Sequence, residues 1–341
     1  MAGFMKRGLN MDCRVNFLRG SVCLALLFCA VAAGARAQET GEREQDGSQG
    51  SLMLFVPVGY DFIRLDSQSA HSPSAGLGFM LTQDGRRFMG TVLYNPFFFA
   101  REPQDGLPTR FHQITALLDA RVNRHQFMAL FNSSADRPVS GGLGTFFSGI
   151  GWGYQAISQP HMSLTLGAIL VVGDFGIALP SGTAWPVLPL PLINLGVNTQ
   201  WLAMSANLPL SVGFTVAPQS RISGAANVRL GGFRGINDLI YEGVLWYRPF
   251  GSDHPLGGMA RIGAGAKNES TSFTIARSEE RDAARIAMRR TSVFAAIDLT
   301  ALQIRGGWTF SSHYLLDGRE AGSPGRGFFV SVQGAVPIFL W

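Results

Sequence analysis

TFFSGIGWGYQA, residues 145–156, is the stretch whose reading decides the fold. Phe146, Ile150, Trp152, Tyr154 and Ala156 fall on one parity, and Thr145, Gly149, Gly151, Gly153 and Gln155 on the other. A period of two belongs to an extended strand, whose successive side chains point to opposite faces, and not to a helix with its period of 3.6. One face is greasy and the other small or polar, so the strand divides an apolar surrounding from a polar one.

The same alternation recurs on both sides of this stretch. Leu52, Leu54, Val56, Val58, Tyr60 and Phe62 oppose Ser51, Met53, Phe55, Pro57, Gly59 and Asp61, and Met162, Leu164, Leu166, Ala168, Leu170 and Val172 oppose Ser163, Thr165 and Gly167. Further strands are predicted over 74–83, 86–98, 108–121, 125–133, 187–197, 201–208, 210–217, 221–231, 238–249, 258–268, 270–277, 285–300 and 302–314, most of them long enough for a tilted strand to cross a bilayer. Short turn signals punctuate them at 83–85, 158–160 and 218–220, and longer ones at 101–107, 133–143, 250–257 and 315–326. Short turns on one side and long loops on the other are what a barrel spanning an outer membrane requires.

Composition agrees. The chain of 341 residues is 46% hydrophobic and only 15% charged, too apolar for an ordinary soluble enzyme and too charged for a helical membrane protein. After Ala37 no apolar run approaches the 18 residues of a membrane helix. Without such helices, only a closed ring of strands can satisfy every backbone group inside lipid. The expected fold is therefore an all-β transmembrane antiparallel up-and-down β-barrel over 51–341, with roughly 12–14 strands. No residue identities repeat at a solenoid or propeller period.

The amino terminus reads as an export signal. Lys6, Arg7, Arg14 and Arg19 precede an apolar stretch over 22–33, and Ala35 and Ala37 offer small residues at the cleavage subsites. A retained anchor would need roughly 20 uninterrupted apolar residues, more than this stretch supplies. Lipid attachment at Cys29 is disfavoured by the bulk of Phe28. Residues 1–37 are thus a signal peptide, cleaved after Ala37, and 38–50 a short polar tail. Removal takes away Cys13, Cys23 and Cys29, so the mature chain has no thiol chemistry. It also removes five basic residues and Asp12, so the formal charge of +5 falls to about +1. No nucleic-acid partner is implied.

Two segments depart from the pattern. Residues 278–290 (SEERDAARIAMRR) read either as a helix capped at Ser278 or as a hairpin tip at 278–283 leading into a strand; the hairpin is preferred. Residues 185–191 carry three prolines, which a fully paired central strand excludes, so a bent, partly unpaired strand start is expected.

The last strand, 327–341, places Phe328, Val330, Val332, Val336, Ile338 and Leu340 on one face and ends on Trp341. It resembles the carboxy-terminal signal of bacterial outer-membrane proteins, which implies delivery to the barrel-assembly machinery. Those signals usually end in Phe with apolar residues in register, whereas here Phe339, Pro337 and Ala335 hold that register and the greasier face is the other. The run from Pro189, Leu190 and Pro191 through Leu195, then Trp201 to Pro209, is similar to a stretch of uncharacterised outer-membrane barrels of about this length. The implied location is the cell outer membrane.

Recognisable chemistry is sparse. The histidines, His71, His112, His125, His161, His254 and His313, form no HExxH and no ligand-spaced pair, so neither metal nor cofactor is expected. No nucleophile elbow, dinucleotide fingerprint or phosphate loop occurs, and alternating small residues on a strand account for Gly263, Ala264, Gly265, Ala266 and Lys267. His313 with Ser311, Ser312 and either Asp317 or Glu320 is the best local cluster for a lipid hydrolase. Ordinary loop-proximal polar residues are the preferred reading there, and no catalytic residue is assigned.

Charges inside strands say more. A charge on the lipid face near the midplane costs about 2–4 kcal/mol, so Asp61, Arg229, Arg261, Lys267 and Arg305 are expected to face the lumen, lining a water-filled pore or pairing inside a plugged one. Tyr60, Phe62, Tyr94, Phe97, Phe98, Phe99, Trp201, Tyr241, Trp246, Tyr247, Trp308 and Tyr314 are expected to form interfacial girdles. The leading functional reading is a porin-like channel or passive transporter for small solutes, not an enzyme. The alternatives are a structural or surface-binding barrel and a membrane-embedded lipid-modifying enzyme. Expected partners are outer-membrane lipid, the assembly machinery and small solutes.

Overall fold

The structure, a computed structural model, describes residues 50–83, 86–103, 107–138, 143–173, 187–208, 211–230, 239–250, 260–276 and 284–340. The export signal, the polar tail up to residue 49, the 278–283 tip and Trp341 lie outside these residues.

Among the described residues, alternation becomes seventeen strands in chain order: β1 (Ser51–Leu65), β2 (Ser69–Gln83), β3 (Arg86–Phe99), β4 (Arg110–Val122), β5 (His125–Ala135), β6 (Phe146–Gln159), β7 (Met162–Gly173), β8 (Val187–Asn198), β9 (Leu202–Leu208), β10 (Ser211–Val216), β11 (Ile222–Leu230), β12 (Leu239–Tyr247), β13 (Ala260–Ile275), β14 (Ala284–Leu299), β15 (Leu302–Leu316), β16 (Arg319–Gly322) and β17 (Gly327–Leu340). Each of β1–β15 pairs antiparallel with the next, β17 pairs with β15, and β17 closes on β1 with Leu52 opposite Leu340 and Leu65 opposite Gly327. Sixteen strands make the ring. β16 is a hairpin flap on β15, turned by Asp317 (φ 50) and Gly318 (φ 82), whose positive φ values suit a tight hairpin turn.

The ring exceeds the expected 12–14 strands, since every predicted segment forms a strand, including four short ones in its middle, β9 to β12. Two predicted segments, 258–268 and 270–277, join into the single strand β13. From Ala284 the alternating reading of the 278–290 region holds. The first half of β8 pairs with β7 alone, since β9 joins it only from Ile193 onward, so Pro189 and Pro191 meet no demand for a second row of N–H donors.

The start of β1 and the end of β17 lie at one rim, where the strand ends are joined through 84–85, 123–124, 160–161, 199–201, 217–221, 248–259 and 300–301. At the opposite rim the strand ends are joined through 66–68, 100–109, 136–145, 174–186, 209–210, 231–238, 276–283 and 317–326. The first set is short with one exception and the second mostly long, the asymmetry of outer-membrane barrels.

Apolar side chains cover the outside: Leu77 (70% exposed), Ile150, Leu245, Val293 and Trp308 all face outward. Apolar residues so exposed around a closed ring cannot face water at low cost, since each Å² of apolar surface costs about 25 cal/mol. The fold therefore defines a membrane-spanning barrel. Inside, Ile63, Leu65, Phe97, Phe99, Phe111, Phe273, Met288 and Tyr314 pack into one cluster. Phe97, Phe99, Trp246 and Tyr314, expected in the girdles, thus face the lumen. The parity that sends Phe98 outward sends its neighbours in.

The barrel is not round at its long-loop rim. β5 and β13, eight strands apart along the ring, touch through a parallel bridge between Ala135 and Thr274. The Ser134 hydroxyl donates to the Ser272 carbonyl at 2.7 Å, and the Ala276 N–H donates to Asp136 Oδ1 at 2.7 Å. Phe273 stacks on Phe111 of the far wall at 4.6 Å between ring centroids. This pinch divides the lumen at that rim.

Candidate functional site

Beneath the pinch, a cavity of about 440 Å³ lies in the lumen beside the aromatic cluster, lined by β1–β4, β11–β15 and β17. β13 contributes Lys267 and Glu269 at alternate, inward positions; β14 contributes Arg290 directly opposite Glu269 in the ladder. Lys267 Nζ donates to Glu269 Oε2 at 2.7 Å, and Arg290 forms an ion pair with the same carboxylate. Arg305 of β15 donates to Glu242 of β12 at 2.7 Å. Asp61, Arg229, Gln303 and Gln333 are among the other polar lining residues.

Aromatic faces seat the cations. Lys267 Nζ lies 4.2 Å from the Phe329 ring centre, Arg305 lies 5.2 Å from that of Phe294, and Arg261 stacks on Trp246 at 4.4 Å. Phe294 can lie flat because Gly265 and Gly307 flank it in the ladder. A side chain at either glycine would collide with backbone or with the ring. Toward the short-turn rim, Arg261 Nε donates to Asp298 at 2.9 Å.

Among the described residues, Arg290 Nε and Nη1 and Arg305 Nε are buried without a protein acceptor. Unpaired donors at such depth cost about 1–3 kcal/mol each, so the cavity presents hydrogen-bonding capacity that its own wall does not use.

The other side of the pinch is open. Ser205, Asn207, Asn227 and Arg229 share the inward face of β9–β11, opposite outward-facing Leu202, Leu208, Phe214 and Val228, yet they are exposed. Inward positions of β6 are Gly149, Gly151 and Gly153, which leave room for Asn194 of β8 to reach Gln126 of β5 at 3.3 Å. Gln126 in turn holds Asp119, which Arg121 approaches at 3.5 Å.

Of the five charges predicted to face inward, Asp61, Arg229, Lys267 and Arg305 line the cavity, and Arg261 sits below it on Asp298. Sequence reading missed their carboxylate partners Glu242, Glu269 and Asp298, together with Arg290 and Asp119. Alternation within β13 and β14 carries the signal, but pairing needs the register between strands. The hydrolase cluster is also sorted by the structure. Ser312 turns inward and donates to the Gly325 carbonyl, Asp317 accepts the Arg285 N–H at 2.8 Å, and Ser311 and Glu320 both meet His313.

No protein-family model matches the chain, and no curated protein does. Among solved structures it is similar to OpdO of Pseudomonas aeruginosa at 11% identity, with a TM-score of 0.31 over 86% of this chain and 98% of that one. The outer membrane protein opdK from the same organism aligns at 8% identity and a TM-score of 0.32, over 86% of this chain and all of the other (100%). OccAB3 of Acinetobacter baumannii aligns at 9% identity and 0.31, over 85% of this chain and 100% of that one.

Proposed function

We propose that the protein is a porin-like channel of the outer membrane that passes small solutes along the open side of its lumen. The observation that carries this reading is the set of inward yet exposed polar side chains on β9–β11, Ser205, Asn207, Asn227 and Arg229, inside a ring whose outside is apolar. Arg229 belongs both to this path and to the charged cavity, so solutes moving past it meet fixed charges of either sign. Such a lining favours polar and ionic solutes. The closed aromatic layer on the other side lends support to the second reading, a structural or surface-binding barrel without a pore.

Planar-bilayer recordings separate the two. The purified protein is expected to give discrete channel events, and Arg229→Glu is expected to shift the reversal potential in a salt gradient toward cation selectivity. Absence of events, with exclusion of small sugars from liposomes, would refute the channel.

A further inference from the structure

We propose that Ser311, His313 and Glu320 form a serine hydrolase site on the outer wall of the barrel, acting on the fatty-acyl esters of membrane lipids. Ser311 Oγ lies 3.1 Å from His313 Nε2, and His313 Nδ1 lies 2.9 Å from Glu320 Oε1. An ionised carboxylate only accepts hydrogen bonds, so Nδ1 carries the ring proton and Nε2 is left to accept the Ser311 hydroxyl. Nucleophile, base and orienting acid are thus in the working order.

Local backbone irregularities build this arrangement. A bulge on β15 pairs Ser311 with Thr291 but Thr309 with Ser292, leaving Phe310 unmatched. It shifts the alternation by one, so Ser311 and His313 follow the exposed Trp308 and Phe310 outward while Ser312 and Tyr314 turn in. Bulges re-aim side chains in this way beside active sites. The tight turn at Asp317 and Gly318 then folds β16 back, with Glu320 opposite Leu315, so that its carboxylate reaches His313. Neither feature is needed to close the ring, since β17 already pairs with β15 below the bulge.

Position selects the substrate. Trp308 and Phe310, 51% and 45% exposed, end the apolar stripe of β15, and the triad begins on the next residue toward the long-loop rim. Aromatic side chains in that setting mark the boundary of the hydrocarbon layer, where the ester carbonyls of lipids lie. The lining of a recess beside the triad includes Asp66, Phe310, Ser311, His313, Ser323 and Arg326. Phe310 gives this otherwise polar recess an apolar wall for the start of an acyl chain, and Arg326, beside Asp66, gives it a guanidinium that can meet an anionic headgroup.

The step balances without any co-reactant but water. Ser311 Oγ bonds to the ester carbonyl carbon as its proton passes to His313 Nε2. Collapse breaks the bond to the alcohol oxygen, which leaves with that proton. A water molecule, deprotonated by His313, then cleaves the acyl-serine, giving the free fatty acid and restoring Ser311.

The test uses full-length protein in detergent micelles with phosphatidylethanolamine vesicles, lipopolysaccharide and a p-nitrophenyl fatty ester as separate probes, together with fluorophosphonate labelling read by peptide mass. Fatty-acid release from either lipid and labelling of Ser311 are expected; the two lipid arms tell which ester is used. Ser311→Ala and His313→Ala should cut release on the order of 10³-fold or more, and Glu320→Gln less. Ser312→Ala should keep Ser311 labelled, and heat-modifiable gel mobility checks folding of every variant. If Ser311 takes no label and neither lipid is hydrolysed by the folded protein, the site is refuted. So it is if Ser311→Ala hydrolyses as fast as the parent. Channel conductance is read separately and should not change in Ser311→Ala.

Discussion

Glu269 is the residue on which the charged cavity depends. It stands between Lys267 and Arg290, whose side chains are 10% and 7% exposed. Removing one partner from a buried ion pair leaves an uncompensated charge and costs about 3–5 kcal/mol. Glu269→Gln leaves two cations facing each other, so the loss is expected at the upper end of that range. Glu242→Gln should cost less, because Arg305 and Glu242 are 19% and 28% exposed and water can take over. Guanidinium unfolding in micelles should rank the two in that order; equal losses would show that Glu269 is not the common anchor. The cations themselves could be read from sequence, since lipid rejects charge and leaves the lumen as their only place. Their carboxylates could not, because a partner one strand away is fixed by register and a partner three strands away, as Glu242 is to Arg305, by the curvature of the wall.

Strands were legible wherever one face met lipid. Period two within β1, β6 and β7 assigned each side chain to a face without reference to any neighbour, and the prolines of β8 announced a row without donors. Aromatic residues were misread where size was weighed above parity. Phe97, Phe99, Trp246 and Tyr314 belong to the interior by their position in the alternation, although their composition suits a girdle. The hydrolase-like cluster shows the opposite failure, since the bulge at Phe310 breaks parity and only the ladder reveals which serine faces His313. The outward assignment itself can be checked at Val293, mid-strand on β14 and 48% exposed. Val293→Arg should destabilise the barrel by about 2–4 kcal/mol. Ser205→Arg, inward and water-exposed on β9, should stay within about 0.5 kcal/mol of the parent. Equal tolerance in unfolding titrations would mean that Val293 does not face lipid.

At the scale of the molecule, the pinch between β5 and β13 turns one ring into two unequal spaces, one filled by aromatic rings over a charged cavity and one open past β9–β11. No local pattern announces it, for Ala135 and Thr274 are ordinary strand-end residues that meet only when the ring has closed. Two compartments make a directional prediction about current. If ions pass along the open side, Asn207→Trp should lower single-channel conductance by filling the path. Phe273→Ala should change conductance less, because Phe97, Phe99 and Phe111 still cover the cavity, even though losing a buried Phe costs about 3–5 kcal/mol of stability. Ser134→Ala, which removes only the bond to Ser272, separates loosening of the pinch from loss of the ring. If Phe273→Ala proves the variant that alters conductance and Asn207→Trp does not, the conducting path runs beneath the aromatic layer, and Lys267, Glu269 and Arg290 become the charges that a passing solute meets.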